Sequence, residues 1–210
     1  PDVSNAKRRL SELGRPVPPQ LTVFHHVLAF GNGVLDKVAM WADAMPNRGI
    51  TADDFAMLER FRLESRGALF IGSHLGNLEM LRAVGDLQNM TVNALVFTRH
   101  SPKFNRVLAA VSPKTLERMI QVDSLGPEAV IMLRDKLAAG EHVAIVGDRV
   151  SVRHKERSQR APFLGRPAPF PEGPFVLASL LECPVYLLFC LKIEGRYRVL
   201  RVGTDSAEVV

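Results

Sequence analysis

The sequence predicts an α/β fold with a mixed, mostly parallel central sheet flanked by helices and preceded by an N-terminal helical segment. Three observations lead there. From Ala68 onward, short apolar runs of the buried-strand kind alternate with helical stretches. The 210 residues are 47% apolar and 23% charged, which suits one domain with a sizeable core and is too apolar for a disordered chain. No internal repeat appears, and the longest apolar stretch, 177–191, is broken by Glu182 and Pro184 before it could span a bilayer. Residues 1–50 read as a helical segment packing on the core or on a membrane. Residues 51–210 read as the α/β domain, with its C-terminal part expected to be missing.

The elements follow in order. A short basic segment (Lys7, Arg8, Arg9) precedes a cluster of Pro16, Pro18 and Pro19, which breaks any helix and starts a new element. Leu21, Phe24, Leu28, Leu35 and Val38 recur at helical spacing, so 21–41 reads as an amphipathic helix. Its apolar side meets either the core or a membrane, and Gly31 and Gly33 weaken its middle. The Gly-Asn-Gly there is no nucleotide loop, because no strand precedes it and no third glycine follows at the right spacing. Thr51 and Asp54 open a helix running to about Glu64. Strands are expected at 68–71, 91–97, 118–122, 142–146, 185–191 and 197–202, the last antiparallel to its predecessor. Helices are expected at 77–87, 103–110, 127–139 and 173–181. The third of these has Pro127 at its start and Gly140 just past its end.

The net charge is +5 and the pI is near 9.6, which points to an anionic partner. The surplus is local, since Arg149 to Arg166 alone carries a net +5. Nucleic acid gains no support, because no helix-turn-helix, aromatic platform or zinc module is present. Cys183 and Cys190 form no Cys-x-x-Cys, so no disulfide framework is expected and a reducing compartment is favoured. His25, His26, His74, His100, His142 and His154 show no metal-ligand spacing, so no metal is expected. His142, at the start of a buried strand, reads as structural.

Open α/β sheets place their sites at the carboxyl ends of strands, so the residues after Ile71, Phe97 and Val146 come first. After Ile71 comes Gly72-Ser73-His74-Leu75-Gly76-Asn77-Leu78-Glu79. Five residues on one helix separate side chains by about 140°, so His74 and Glu79 meet only if His74 lies in the turn and Glu79 in the first helical turn. The glutamate would then hold one imidazole nitrogen and leave the other as a base. Asn77 is a plausible helix cap, and the helix N-terminus offers N–H groups to an anion. The plainer alternative is a structural histidine with Glu79 as a favourable first-turn acid. The strand-turn-helix context and the two glycines weigh against it. Ser73 is a turn residue, because the Gly-x-Ser-x-Gly elbow is absent. After Val146, Gly147-Asp148-Arg149 brings a guanidinium to a strand end, where it can polarise a carbonyl or hold a phosphate. Arg99 is a second such residue; for both, a surface salt bridge is the alternative. Arg153, Lys155 and Arg157 form either a solvated basic loop or a surface for an acidic partner.

In this arrangement the chain resembles the lysophospholipid/glycerolipid acyltransferase superfamily, and within it the bacterial lipid A biosynthesis (late) acyltransferase branch. His74-x-x-x-x-Glu79 matches the branch's His-four-residues-Glu motif. Phe163-Leu164-Gly165-Arg166-Pro167-Ala168, Pro171-Glu172-Gly173-Pro174, Leu177-Ala178 and Cys183-Pro184-Val185 match a second stretch in register. The resemblance runs from the N-terminal helix to Leu191. Phe170-Pro171-Glu172-Gly173 mimics the superfamily's Phe-Pro-Glu-Gly block but stands before the helix that should follow it. That block is therefore matched to Asp148 and Arg149, with Glu172 as second choice. The family's N-terminal membrane anchor and C-terminal segment are not visible.

The resemblance implies transfer of an acyl chain from an acyl carrier protein or acyl-CoA thioester to a hydroxyl or amine of a membrane lipid, such as a lipid A precursor. His74 would be the general base and Glu79 would fix its tautomer. Arg149, or backbone N–H groups near Gly76 and Asn77, would stabilise the oxyanion. Substrate contacts would come from Gly76, Asn77, Arg99, Asp148, Arg153, Lys155, Arg157, Phe163, Gly165 and Gly173. Phe163, Leu164 and Phe170 line an acyl groove or belong to the core. No metal, resident cofactor or covalent acyl-enzyme is required. The work site would be the cytoplasmic face of the inner membrane, reached peripherally or through an anchor outside this chain. Ornithine or glycine lipids, other glycolipids and lipid-linked pigments are compatible acceptors. A non-catalytic protein holding an anionic lipid on the same fold is the alternative; it leaves His74 and Glu79 unexplained.

Overall fold

The computed structural model describes residues 3–41, 52–63, 66–78, 80, 85, 89–96, 106, 110, 117–121, 126–150 and 157–203. In chain order the elements are α1 (Val3–Glu12), α2 (Val23–Trp41), α3 (Ala52–Leu63), β1 (Leu69–Gly72), β2 (Val92–Val96), β3 (Met119–Gln121) and α4 (Pro127–Ala138). There follow β4 (His142–Val146), β5 (Ser158–Phe163), β6 (Arg166–Pro171), α5 (Gly173–Leu181), β7 (Val185–Ile193) and β8 (Arg196–Gly203). Leu78, Met80, Gly85, Arg106 and Ala110 are helical, in keeping with the helices expected around them.

Among the described residues, six strands form one sheet in the order β3-β2-β4-β1-β7-β8. All neighbours are parallel except β7 and β8, which are antiparallel. This is the mixed, mostly parallel sheet expected from the sequence. Alternation along β1 sends its side chains to two separate cores. Phe70 joins Met40, Leu58, Phe61, Val92, Leu188 and Tyr197, which places α2 and α3 on one face. Leu69 and Ile71 join Leu133, Leu137, Val143, Ile145, Leu177 and Leu181, which places α4 and α5 on the other. Both faces of β1 are therefore covered, which is why it reads as an uninterrupted apolar run.

His142 opens β4 and is buried. Its Nδ1 accepts the Ala68 N–H at 3.1 Å, and its ring stacks on Phe70 at 5.0 Å. That bond needs a neutral ring, and burial lowers the pKa to about 4 from the ordinary 6.5. Between those values the unfolded chain binds the proton and the folded chain does not, so stability falls as pH drops through this window. The expected loss from this one group is roughly 2 kcal/mol between pH 7 and pH 5. Urea denaturation at the two pH values checks it, and His142→Gln should flatten the dependence by that amount.

Two elements were not placed individually by the sequence, although the first falls within the helical segment read over residues 1–50. The first is α1, whose Arg9 guanidinium donates to the Leu164 carbonyl and pairs with Glu12, while Arg166 pairs with Glu12 at 3.2 Å. The second is the β5-β6 ribbon beneath it, within a stretch read as a basic loop. Leu164 and Gly165 both take positive φ (49° and 76°), a two-residue hairpin turn of the type that matches strand twist. With Phe163 opposite Arg166 as the closing hydrogen-bonded pair, the pairs Pro162↔Pro167, Arg160↔Pro169 and Ser158↔Pro171 all fall at non-hydrogen-bonded positions. A missing proline N–H costs no ladder bond there.

Helix α2 turns outward the apolar side for which the sequence left core and membrane open. Phe24, Leu28, Leu35 and Val38 are exposed, with Phe24 at 70%. The helix attaches near its C-terminal end, through buried Met40 and through Asp36, which receives Lys192 Nζ at 2.8 Å. It runs unbroken through Gly31 and Gly33.

Candidate active site

The site grows out of the pairing of β1 with β4. Gly72 lies opposite Val146, and the Gly147 N–H donates to the Gly72 carbonyl at 2.9 Å. Two parallel neighbours deliver their following residues to the same edge of the sheet. His74 stands two residues after β1 and Asp148 two residues after β4, and they meet. The ring Nδ1 of His74 lies 2.8 Å from Asp148 Oδ1, and the His74 backbone N–H donates to Oδ2 at 2.9 Å. Both carboxylate oxygens are thus engaged by one residue. The histidine side chain is 47% exposed, so its far edge faces solvent.

The electrostatics set the proton positions. Partial burial pushes the Asp148 carboxyl up, but the hydrogen bonds from the His74 ring and backbone outweigh it, and the pKa lies below the usual 3.8. Asp148 is therefore an acceptor-only carboxylate at neutral pH. The proton between the two side chains belongs to Nδ1, and a neutral ring then carries its lone pair on Nε2. The sequence assigned Glu79 to one ring nitrogen of His74. Glu79 lies outside the described residues, and the partner observed is Asp148.

The turn that carries His74 is pinned to β7. Ser73 Oγ accepts the Leu75 N–H at 3.1 Å, which makes Ser73 a turn residue as expected. Gly76 has φ +91° and forms a bridge with Cys190. A Cβ at Gly76 would stand 2.0 Å from the Cys190 carbonyl oxygen, so only glycine permits this approach. Asn77 caps the helix that follows, its Oδ1 accepting the Met80 N–H at 3.3 Å. Its own N–H donates to Cys190 O at 2.8 Å, and its Nδ2 donates to Tyr197 Oη at 3.2 Å. Asn77 is buried with these groups turned inward. It holds the turn, and its N–H is not free for an oxyanion.

The remaining expected residues divide. Arg149 is exposed directly beside Asp148. A Cβ at Gly147 would stand 3.5 Å from the Pro174 ring, so the start of α5, with Gly173 at its first position, packs beside the dyad strand. Arg157 is exposed, and its carbonyl accepts the Glu172 N–H at 3.2 Å. Gly165 sits at the hairpin tip against Arg9 and Leu13. Phe163 is exposed and meets Phe170 edge-on at 5.7 Å. Phe170 lines a groove of about 310 Å³ between the ribbon and α5, with Gln159, Glu172, Phe175, Val176 and Ser179. Arg99, Arg153 and Lys155 lie outside the described residues. Sequence reasoning missed Tyr197, whose only signal was an aromatic in an otherwise ordinary strand.

A histidine held by a carboxylate at a sheet edge, with one ring nitrogen open and an arginine beside it, is fitted to remove a proton from a hydroxyl or amine. Among the described residues no group of three or more His, Cys, Asp or Glu is placed to hold a metal ion. Among the described residues, too, no helix is long and apolar enough to cross a membrane. No curated protein sequence matches the chain. The family profile described as bacterial lipid A biosynthesis acyltransferase matches residues 27–201, from α2 through β8. With that match spanning most of its length, the chain belongs to the bacterial lipid A biosynthesis acyltransferase family.

Proposed function

We propose that the protein transfers a fatty acyl chain from an acyl carrier protein or acyl-CoA thioester to a hydroxyl or amine of a lipid A precursor or related membrane lipid, with His74 as general base. The observation that carries this reading is the His74–Asp148 pair at the ends of β1 and β4. Nε2 takes the acceptor proton as the acceptor oxygen or nitrogen attacks the thioester carbonyl. Asp148 holds the ring and balances the imidazolium that forms. As the tetrahedral intermediate collapses, the C–S bond breaks and the departing thiolate receives the proton from His74. A positioned base contributes about 10²–10⁴-fold. Arg149 is read as the donor to the developing oxyanion, an interaction worth about 3 kcal/mol where such donors are removed. The step needs no covalent acyl-enzyme.

The basic segment from Arg149 to Arg166 is read as the docking surface for the acidic carrier or for the phosphates of coenzyme A or a headgroup. The exposed apolar side chains of α2, among them Phe24, Val27, Phe30 and Leu35, are read as the part that lies on the membrane surface at its cytoplasmic face.

The test is direct. Purified protein, a lipid A precursor in mixed micelles and an acyl thioester of carrier protein or coenzyme A are incubated, and lipids are weighed by mass spectrometry. Expected is a product heavier by one acyl group, with one free thiol released per product. Lipid binding without transfer from either donor favours the non-catalytic alternative.

A further inference from the structure

We propose that Tyr197 and Asp36 are positioning residues for the catalytic turn, forming with Asn77 a hydrogen-bonded relay that ties helix α2 to the segment carrying His74. The proposal rests on the acyltransferase reading and adds residues that act through another group. Tyr197 Oη donates to Asp36 Oδ2 at 2.5 Å and accepts the Asn77 Nδ2–H at 3.2 Å. An amide nitrogen only donates, so the phenol proton must point to Asp36, and the chain has one proton arrangement. Lys192 Nζ, also on Asp36 at 2.8 Å, completes the far end. At the near end Asn77 has its other groups on Cys190 and Met80, three residues from His74.

Burial and the hydrogen bonds together hold the relay in one protonation state. Burial pushes Tyr197 up to about 12, with the bond to Asp36 adding to the effect. Burial also raises the Asp36 carboxyl, but the bonds from Lys192 and Tyr197 bring it below the usual range. The phenol therefore stays protonated and the carboxylate ionised across the working range, so the role is geometric. Asn77 and Tyr197 are both buried, so a bond lost there costs the desolvation of the group left behind. Without the Tyr197 hydroxyl the Asn77 amide loses its acceptor, and Asn77 then holds to β7 through its backbone N–H without support from β8. A displacement of about 1 Å at a reacting group can cost on the order of 10²-fold.

The test compares Tyr197→Phe, Asp36→Leu, Asp36→Asn and His74→Ala in the transfer assay, with folded fraction measured by denaturation. Tyr197→Phe is expected to lower kcat about 10–100-fold with the donor KM within about twofold. Asp36→Leu should match it. Asp36→Asn, which keeps an oxygen acceptor for the phenol, should recover about tenfold of the loss. A second readout needs no substrate: the His74 Nδ1–H signal in proton NMR should shift or broaden in Tyr197→Phe. Wild-type kcat per folded molecule and an unmoved His74 signal in Tyr197→Phe, with His74→Ala inactive, overturn the relay alone. Full activity of His74→Ala overturns the base assignment instead, and the NMR signal then decides the geometric tie by itself.

Discussion

Alanine in place of His74 is expected to lower acyl transfer about 10²–10⁴-fold while leaving stability within about 0.5 kcal/mol of wild type. The ring is half-exposed, and the backbone N–H that holds Asp148 Oδ2 survives the substitution. Asp148→Ala is a different case, because it removes the bonds to both the ring and the backbone. It should lose a similar share of the rate and about 1–3 kcal/mol of stability as well. The acid dependence follows in sign. A carboxyl held below its ordinary 3.8 contributes stability that is fully present above that value and lost as pH falls through the folded-state value. The difference in urea midpoint between wild type and Asp148→Ala should therefore close in acid.

Gly76→Ala is expected to be the most damaging small substitution in the turn. At φ +91° an alanine is strained before it meets anything, and its Cβ would lie 2.0 Å from a carbonyl oxygen of β7. Neither the strand backbone nor the turn can yield without parting Asn77 N–H from Cys190 O. Strain and the lost bond together come to about 2–4 kcal/mol. The rate should fall by about 10²-fold in the molecules that still fold, because the histidine moves with the turn. Urea denaturation and transfer rates on the same preparation check both figures; a variant with wild-type values would show that the turn does not depend on this approach to β7.

What was legible in the sequence is what is written locally. Pro127 and Gly140 bracket α4, and the observed helix is Pro127–Ala138. The apolar runs of β1 and β4 announce strands buried on both faces, and the Gly-rich turn after β1 announces His74. The partner of His74 was not legible as such, because it depends on strand order. Nothing near Asp148 says that β4 rather than β2 lies beside β1. The β5-β6 ribbon was hidden by Pro162, Pro167, Pro169 and Pro171, which argue against a strand unless each falls where no ladder bond is owed. Helix α1 is polar and is held in place by bonds to a hairpin tip about 155 residues away in sequence, which no local window contains. The spacing in α2 correctly indicated a helix, but spacing alone cannot say whether an apolar side meets protein or lipid, and here it is turned outward.

The central claim is that His74 and Asp148 act as one unit, and a double-mutant cycle on transfer rate tests it most directly. His74→Ala, Asp148→Ala and the double variant are compared with wild type, each corrected for folded fraction. If the carboxylate works through the imidazole, Asp148→Ala costs little further rate once His74 is gone, and the double variant falls close to His74→Ala alone. Losses that multiply, with Asp148→Ala lowering the His74→Ala rate by its full factor again, would contradict the dyad.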